Sequence, residues 1–376
     1  DDKDILTSNK LLVYPARVAL KEKVEHFSKF LSGNTHVVPT DEYYSFIIQS
    51  DKNFTSAMFR FKNKITNKTV QAEKIKNLSP KNNKKTSIHP WKLPIKEPKN
   101  KILEGNISIN KTLVFDKQTT VTIKADTTFT LDANCSIFFY GRVKAIGTKD
   151  KPIRFIAKDK TKPWGVVTIQ GKESSNSIFN YCLFRDGSID SRNLIHYTSP
   201  FNIHDTKNFM VKNSTIGRSF IGDDAMHIAY ANGVVDSTLF KDARSDGLDI
   251  DISDVTIKNS TFQNSGNDGL DIMTTKMRAF NNKFIETGDK GISVGEWSEA
   301  NISNSIFIRT TIGLEIKDKS KVVASNLKFI NSKDKAINLY NKNKRYDEGG
   351  FLKAKNLSFV GNSIVKIDKK SKVNYE

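Results

Sequence analysis

The chain is poor in several things, and each scarcity narrows what it can be. Two cysteines in 376 residues, Cys135 and Cys182, lie far apart and inside apolar runs. Buried free thiols are therefore expected, not a disulfide framework. Prolines number nine, and apolar residues fall in short runs of two to four. No run approaches the roughly 20 residues that cross a membrane as a helix, so no membrane span is expected. There is no P-loop, no zinc-ligand spacing and no nucleophile elbow, which removes the common motif-marked nucleotide and hydrolase sites. The sequence opens without Met or an apolar leader, so a signal peptide is expected to have been removed or left out, which is silent on secretion.

What is abundant is positive charge. The net charge is +19, an excess that usually marks a polyanionic partner. It is unevenly placed. Residues 51–100 carry 13 Lys/Arg against 3 Asp/Glu, while residues 221–320 carry 10 against 16. The basic stretch has a few interleaved aromatics but no recognisable nucleic-acid fold. It reads as solvated surface, and nucleic acid is not the expected partner.

Residues 1–100 read as a small α+β or β-rich module followed by a linker. Ala19–Leu31 has helical apolar spacing. Tyr43–Gln49, Ala57–Phe61 and Thr69–Glu73 resemble strands, and residues 77–100 are rich in Lys, Asn and Pro. From residue 101 short β-branched runs recur between turns, with no segment of helix length: an all-β pattern.

From about residue 210 a repeat decides the architecture. Small residues fall at Ala225, Gly247, Gly269, Gly291, Gly313 and Ala336, spaced 22, 22, 22, 22 and 23. In phase run Phe240, Phe262, Phe284, Phe307, Phe329 and Phe359. Asn259, Asn281, Asn304, Asn326 and Asn356 stand three residues before the last five. A period near 22 is one solenoid coil. Strands of about five residues with short turns make the fold a right-handed parallel β-helix over residues 101–376. Phe forms an interior stack and Asn a ladder at a turn, because equivalent residues lie roughly 4.8 Å apart along the axis.

Strand alternation then sorts the face. The positions one and three after the small residue are apolar in every coil, from Met226/Ile228 to Ile337/Leu339, and point inward. Between them an outward column reads His227, Asp249, Asp271, Ser293, Glu315, Asn338. With Asp224, Asp246, Asp251 and Asp268 it makes an acidic stripe, grading into Asp289, Lys290, Glu296, Glu315, Lys317 and Asp318. Asp before Gly is also a favoured turn pair, so Asp224, Asp246 and Asp268 have a bland reading. Asp249, Asp251 and Asp271 do not, because Asp is disfavoured inside strands. Like charges stacked there cost about 1 kcal/mol per pair even in water. The expected metal ligands are Asp246, Asp249, Asp251, Asp268 and Asp271, around Ca²⁺. The expected catalytic set is Lys290 or Lys317 as base, Arg244 or Arg278 holding a carboxylate, and Glu296 and His227 as further acid–base groups. Trp297, Glu315, Asp289 and Tyr340 are expected to bind substrate. Between Phe329 and Phe359 the spacing widens to 30, an insertion placed to wall a groove.

The stretch from Gly147-Thr148-Lys149-Asp150-Lys151-Pro152 to Trp164-Gly165-Val166 resembles the opening coils of the pectate-lyase-like superfamily of right-handed β-helices. The run Ser245-Asp246-Gly247-Leu248-Asp249 through Gly295-Glu296 is similar to β-helix regions found beside bacterial spore-coat-protein-H-like kinase modules. This likeness covers about 260 residues and leaves 1–100 aside. It implies an extracytoplasmic monomer whose partner is an acidic polysaccharide, with a Ca²⁺-dependent lyase of uronic-acid glycans as the leading activity. The alternative it leaves is a non-catalytic glycan-binding or structural module. The Asp-Pro-His-Glu quartet of mannuronan epimerases is absent, and Asp223-Asp224 matches polygalacturonases in that pair alone.

Overall fold

The computed structural model describes residues 12–14, 47–49, 60–62, 69–71, 99–362 and 364–376. The chain divides into two units, residues 1–88 and 89–376. In the first, Leu12–Tyr14 pairs antiparallel with Ile47–Gln49, and Arg60–Lys62 with Thr69–Gln71. The helix expected over Ala19–Leu31 and the linker over 77–98 lie outside the described residues. In the second unit the first strand, Lys99–Leu103, spans the expected boundary at 100/101.

The second unit is a parallel β-solenoid. One face is an eleven-stranded parallel sheet with its strands in chain order. They are β1 (Leu113–Phe115), β2 (Ile137–Phe139), β3 (Val167–Gln170), β4 (Phe201–His204), β5 (Asp224–Ala229), β6 (Asp246–Asp251), β7 (Leu270–Met273), β8 (Lys290–Gly295), β9 (Ile312–Lys317), β10 (Lys335–Tyr340) and β11 (Val365–Ile367). The remaining solenoid strands, apart from a short hairpin of Asp190–Arg192 and Ile195–Tyr197, join a 21-stranded sheet that wraps the rest of each coil. Among the described residues no helix is long and apolar enough to cross a membrane. Both cysteines are free and buried.

Alternation builds the core. Met226, Ile228, Leu248, Ile250, Leu270, Ile272, Ile292, Val294, Leu314, Ile316, Ile337 and Leu339 are all fully buried. The Phe column is a continuous stack from Phe240 to Phe359, with ring centroids 4.7–5.4 Å apart and planes within 13° of parallel. Offset stacking of this kind adds to the area each ring buries. The same stack fixes the small-residue column. A Cβ at Gly291 would stand 2.5 Å from the Phe307 ring and 2.6 Å from the Gly313 carbonyl oxygen, and Gly313 faces Phe329 at 2.5 Å. The glycines are therefore the floor on which the rings lie.

The Asn column occupies the left-handed region, with φ of 53°, 58°, 49°, 54° and 54° from Asn259 to Asn356. Asn tolerates that region better than most residues. Its side chain links coils as well: Asn281 Nδ2 donates to Asn259 Oδ1 at 3.2 Å, Asn326 to Asn304 at 2.9 Å and Asn356 to Asn326 at 3.0 Å.

Two substitutions test this packing. Phe284→Ala removes a ring held between two others, and a loss of about 3–5 kcal/mol is expected in denaturant unfolding. Gly291→Ala keeps the core apolar but forces Phe307 to move, and a loss of about 1–3 kcal/mol is expected. A stability unchanged in both would show that the stack and its floor are independent.

Candidate functional site

The ladder stacks the outward column from His227 to Asn338 on the β5–β10 face. His227 pairs with Asp249, Asp249 with Asp271, Asp271 with Ser293, Ser293 with Glu315 and Glu315 with Asn338. Asp224 lies opposite Asp246, and Ala229 opposite Asp251. The face is less solvated than alternation suggests. Asp224, Asp246, Asp268, Ser293, Glu315 and Lys317 are all buried, and Asp249, Asp251 and Asp271 are half-buried. The expectation that this column faces solvent is thus corrected for its upper part, where the side chains cover one another. Glu315 accepts hydrogen bonds from Asn338 Nδ2 at 2.9 Å and from the Tyr340 hydroxyl at 3.3 Å.

The turn-position aspartates are more than turn formers. Asp246 Oδ1 accepts the Asp268 backbone N–H at 2.7 Å and Asn267 Nδ2 at 2.8 Å. Asp268 Oδ1 accepts the Lys290 N–H at 3.0 Å. Each carboxylate ties its coil to the next. Their burial carries a cost in charge. Burial pushes Asp246 up to about 6; the Asp268 N–H opposes this, and Asp271 adds to it. Burial lifts Asp268 to about 8 against the pull of Lys290, with Asp246 and Asp271 adding. Asp224 and Asp249 are also raised well above the carboxylate range, by burial first and neighbouring aspartates second.

Two lysines enter this cluster from above. Lys290 Nζ lies 2.5 Å from Asp289, 3.6 Å from Asp268 and 4.0 Å from Glu315. Lys317 Nζ donates to Ser293 Oγ at 2.9 Å and lies 4.0 Å from Asp271. Burial works against both charges, but the surrounding carboxylates outweigh it and both pKa values are raised. These lysines are held as cations, which counts against the base role expected for them. Glu296 is raised by burial, with Lys317 opposing.

At the lower end a relay emerges that sequence reasoning missed. Nε2 of the buried His204 lies 3.1 Å from His227 Nδ1, and His227 Nε2 lies 3.4 Å from Asp251 and 3.9 Å from Asp249. Burial, then His227, lowers His204 to about 3, so it is neutral. His204 escaped notice because its coils are irregular: Val167 to Phe201 spans 34 residues and Phe201 to Met226 spans 25.

Other expected residues are dispersed. Arg278 belongs to strand Lys276–Phe280 of the large sheet and pairs with Asp254 at 2.9 Å, so it lies on another face of the coil. This corrects its assignment as a carboxylate holder here. Arg244 donates to the Ile221 carbonyl at 3.0 Å on the coil below. Among the described residues no ion pair joins it to the stripe. Trp297 stands exposed at the turn that follows β8.

Among the described residues two groups have the chemistry to hold a metal. Asp246, Asp268 and Asp271 place one oxygen each within 4.8 Å of the others, and His227, Asp249 and Asp251 do the same with one nitrogen and two oxygens. Calcium binds oxygens at about 2.3–2.6 Å, so oxygens across one ion are roughly 5 Å apart. The all-oxygen group fits a hard cation; the nitrogen-containing group suits a softer one.

A family model described as a right handed beta helix region matches residues 199–364. The fold is a right-handed parallel β-helix. That match speaks to the solenoid alone; the association with kinase modules is not shown by it. No curated protein matches the chain. Among solved structures the chain is similar to tailspike protein 2 from Escherichia coli O157:H7 bacteriophage CAB120, at 13% identity and a TM-score of 0.48 over 70% of this chain and 42% of that one. It is also similar to a pectate lyase, at 9% identity and a TM-score of 0.45 over 73% and 80%. A third is endopolygalacturonase I from Stereum purpureum, at 15% identity and a TM-score of 0.38 over 74% and 94%. The chain spans less than half the length of the tailspike.

The raised carboxylates predict an unusual pH dependence. A carboxyl with a folded pKa above its unfolded value contributes stability below the unfolded pKa and loses it as pH rises through the folded one. Metal-free protein is therefore expected to melt at lower temperature as pH rises from about 5, through Asp246 near 6, to Asp268 near 8. Asp268→Asn should flatten the upper part of this trend. Calcium competes with protons, so it should raise the melting temperature more at pH 8 than at pH 5. No calcium effect at pH 8 would rule out a cation at Asp246, Asp268 and Asp271.

Proposed function

We propose that the β5–β10 face binds and processes an acidic polysaccharide from an extracytoplasmic position, and that it does so as a Ca²⁺-dependent lyase of a uronic-acid glycan. The observation supporting this most directly is the pair of fixed lysine cations, Lys290 and Lys317, beside carboxylates whose pKa values are raised. A cationic clamp beside an all-oxygen metal group is what a substrate carboxylate needs. Neutralising that carboxylate acidifies the neighbouring C–H, and the Glu296 carboxylate, beside Lys317, would accept that proton as the bond to the leaving oxygen breaks. Asp246, Asp268 and Asp271 would hold the cation, which supplies further positive charge to the substrate carboxylate. Lys290 and Lys317 orient the sugar as charged donors. The raised Tyr340 hydroxyl, kept protonated by burial and by Glu315, would donate a proton to the leaving oxygen. Coils are spaced roughly 4.8 Å apart, close to one pyranose residue, so a glycan lying along the axis meets similar groups at successive sugars.

A second reading is favoured by the hydrogen bonds from Asp246 and Asp268 to the next coil. In it the stripe is a structural ladder on a non-catalytic, glycan-binding β-helix. Incubation with pectate, alginate and glycosaminoglycans, with and without chelator, separates the two. The lyase reading expects unsaturated-uronate absorbance that chelator abolishes and that Lys317→Met lowers by at least 100-fold. Without unsaturated product from any of them, the structural reading stands.

A further inference from the structure

Trp297 combines two features that a fold avoids. It is 63% exposed, and it sits with Glu296 in the left-handed region, at φ of 65° and 49°. A bulky residue is disfavoured there. Its turn holds two left-handed residues, Glu296 and Trp297, where the turn beneath holds Thr274 alone. On the coil above, Lys319 stands over the ring at 5.8 Å, and Tyr346 of the insertion meets it edge-on at 6.3 Å. A cleft of about 510 Å³ opens here, lined by Trp297 with Lys276, Lys319, Lys321, Glu299 and Glu348.

We propose that this cleft is a sugar subsite, separate from the carboxylate cluster, for a pyranose unit carrying an acidic group. An open indole offers an apolar platform to the C–H face of a sugar ring. The ammonium groups of Lys276, Lys319 and Lys321 suit a carboxylate or sulfate, and Glu299 and Glu348 accept hydrogen bonds from hydroxyls. Asp347 pairs with Lys319 at 3.9 Å, so a ligand anion would replace one existing partner. The cleft adjoins the processing face through Glu296, whose carboxyl is influenced by Lys317 and Asp271. This extends the acidic-polysaccharide reading to a second binding position.

The test is titration of the full chain with three oligosaccharides, followed by tryptophan fluorescence and calorimetry. Oligogalacturonate carries carboxylates, a carrageenan oligomer carries sulfates, and cello-oligosaccharide carries neither. Binding of at least one acidic oligomer is expected to change the fluorescence, with Trp297→Ala weakening it at least tenfold and Trp297→Phe much less. The melting temperature should stay within a few degrees, and the neutral oligomer should bind at least tenfold more weakly than the acidic one. Which acidic oligomer binds identifies carboxylate or sulfate as the group recognised. Equal affinity in Trp297→Ala, no binding of either acidic oligomer, or equal binding of the neutral one would overturn the subsite. The two proposals fail separately. Product formation with an unchanged Trp297→Ala affinity removes the subsite alone. Trp297-dependent binding without product from any acidic polysaccharide removes the processing activity alone.

Discussion

The backbone ladder between coils governs everything else in this molecule. Each coil hydrogen-bonds to the next in parallel register, so every side chain stands directly over its equivalent one coil away. Such stacking multiplies whatever the residue type does. Phenylalanine over phenylalanine gains face-to-face packing along the whole column. Asparagine over asparagine gains a hydrogen bond while relieving a left-handed turn. Aspartate over aspartate gains nothing by itself, because two unit charges about 5 Å apart repel in any dielectric. The ladder therefore makes a run of identical apolar or amide residues self-explaining, and a run of identical acids a question.

The structure answers that question in two ways along the acidic stripe. Asp246 and Asp268 use one oxygen to bind the backbone of the coil above, so part of their cost is offset by inter-coil bonds. Asp249 makes no such link, and its charge is suppressed by burial and by its neighbours. The lysines above are fixed by the opposite balance, where clustered carboxylates overcome burial and keep the ammonium charged. Protons and a divalent cation can both relax this arrangement. The net charge of +19 acts on another scale. It favours encounter with a polyanion at long range, while contact chemistry is set by a locally acidic face.

These columns were legible in the sequence because identical spacing projects onto the same position around each coil. The Phe, Asn and small-residue columns needed only counting. The reading failed where counting does not fix the position around the coil or the reach of a side chain. Arg278 stands between Thr256 and Asn301 of the neighbouring coils in the large sheet, away from the β5–β10 face, and residue spacing alone does not say which face a strand occupies. Glu315 and Lys317 are buried because Asn338, Tyr340 and Ser293 reach across to them, and side-chain reach is invisible in an alternation pattern. His204 was hidden by coils of unequal length. That Asp246 accepts a backbone N–H from the next coil is a matter of turn geometry, and the same Asp-Gly pair would be written for an ordinary turn.

The insertion after β10 shows how the irregular parts complete what the repeat begins. Oδ1 of Asp318, fully buried in the turn after β9, accepts the backbone N–H groups of Lys342 and Asn343, each at 2.8 Å. Asn341 Nδ2 donates to the Tyr346 carbonyl at 2.8 Å and the Glu348 carbonyl at 3.1 Å. The loop is thus bolted to a coil by a buried carboxylate and closed on itself by one amide. It brings Tyr346 against Trp297 and follows directly from Tyr340, which caps Glu315. The acidic face and the tryptophan cleft therefore share one anchored wall. Their separation is fixed by hydrogen bonds instead of by loop entropy, which favours ligands long enough to reach both.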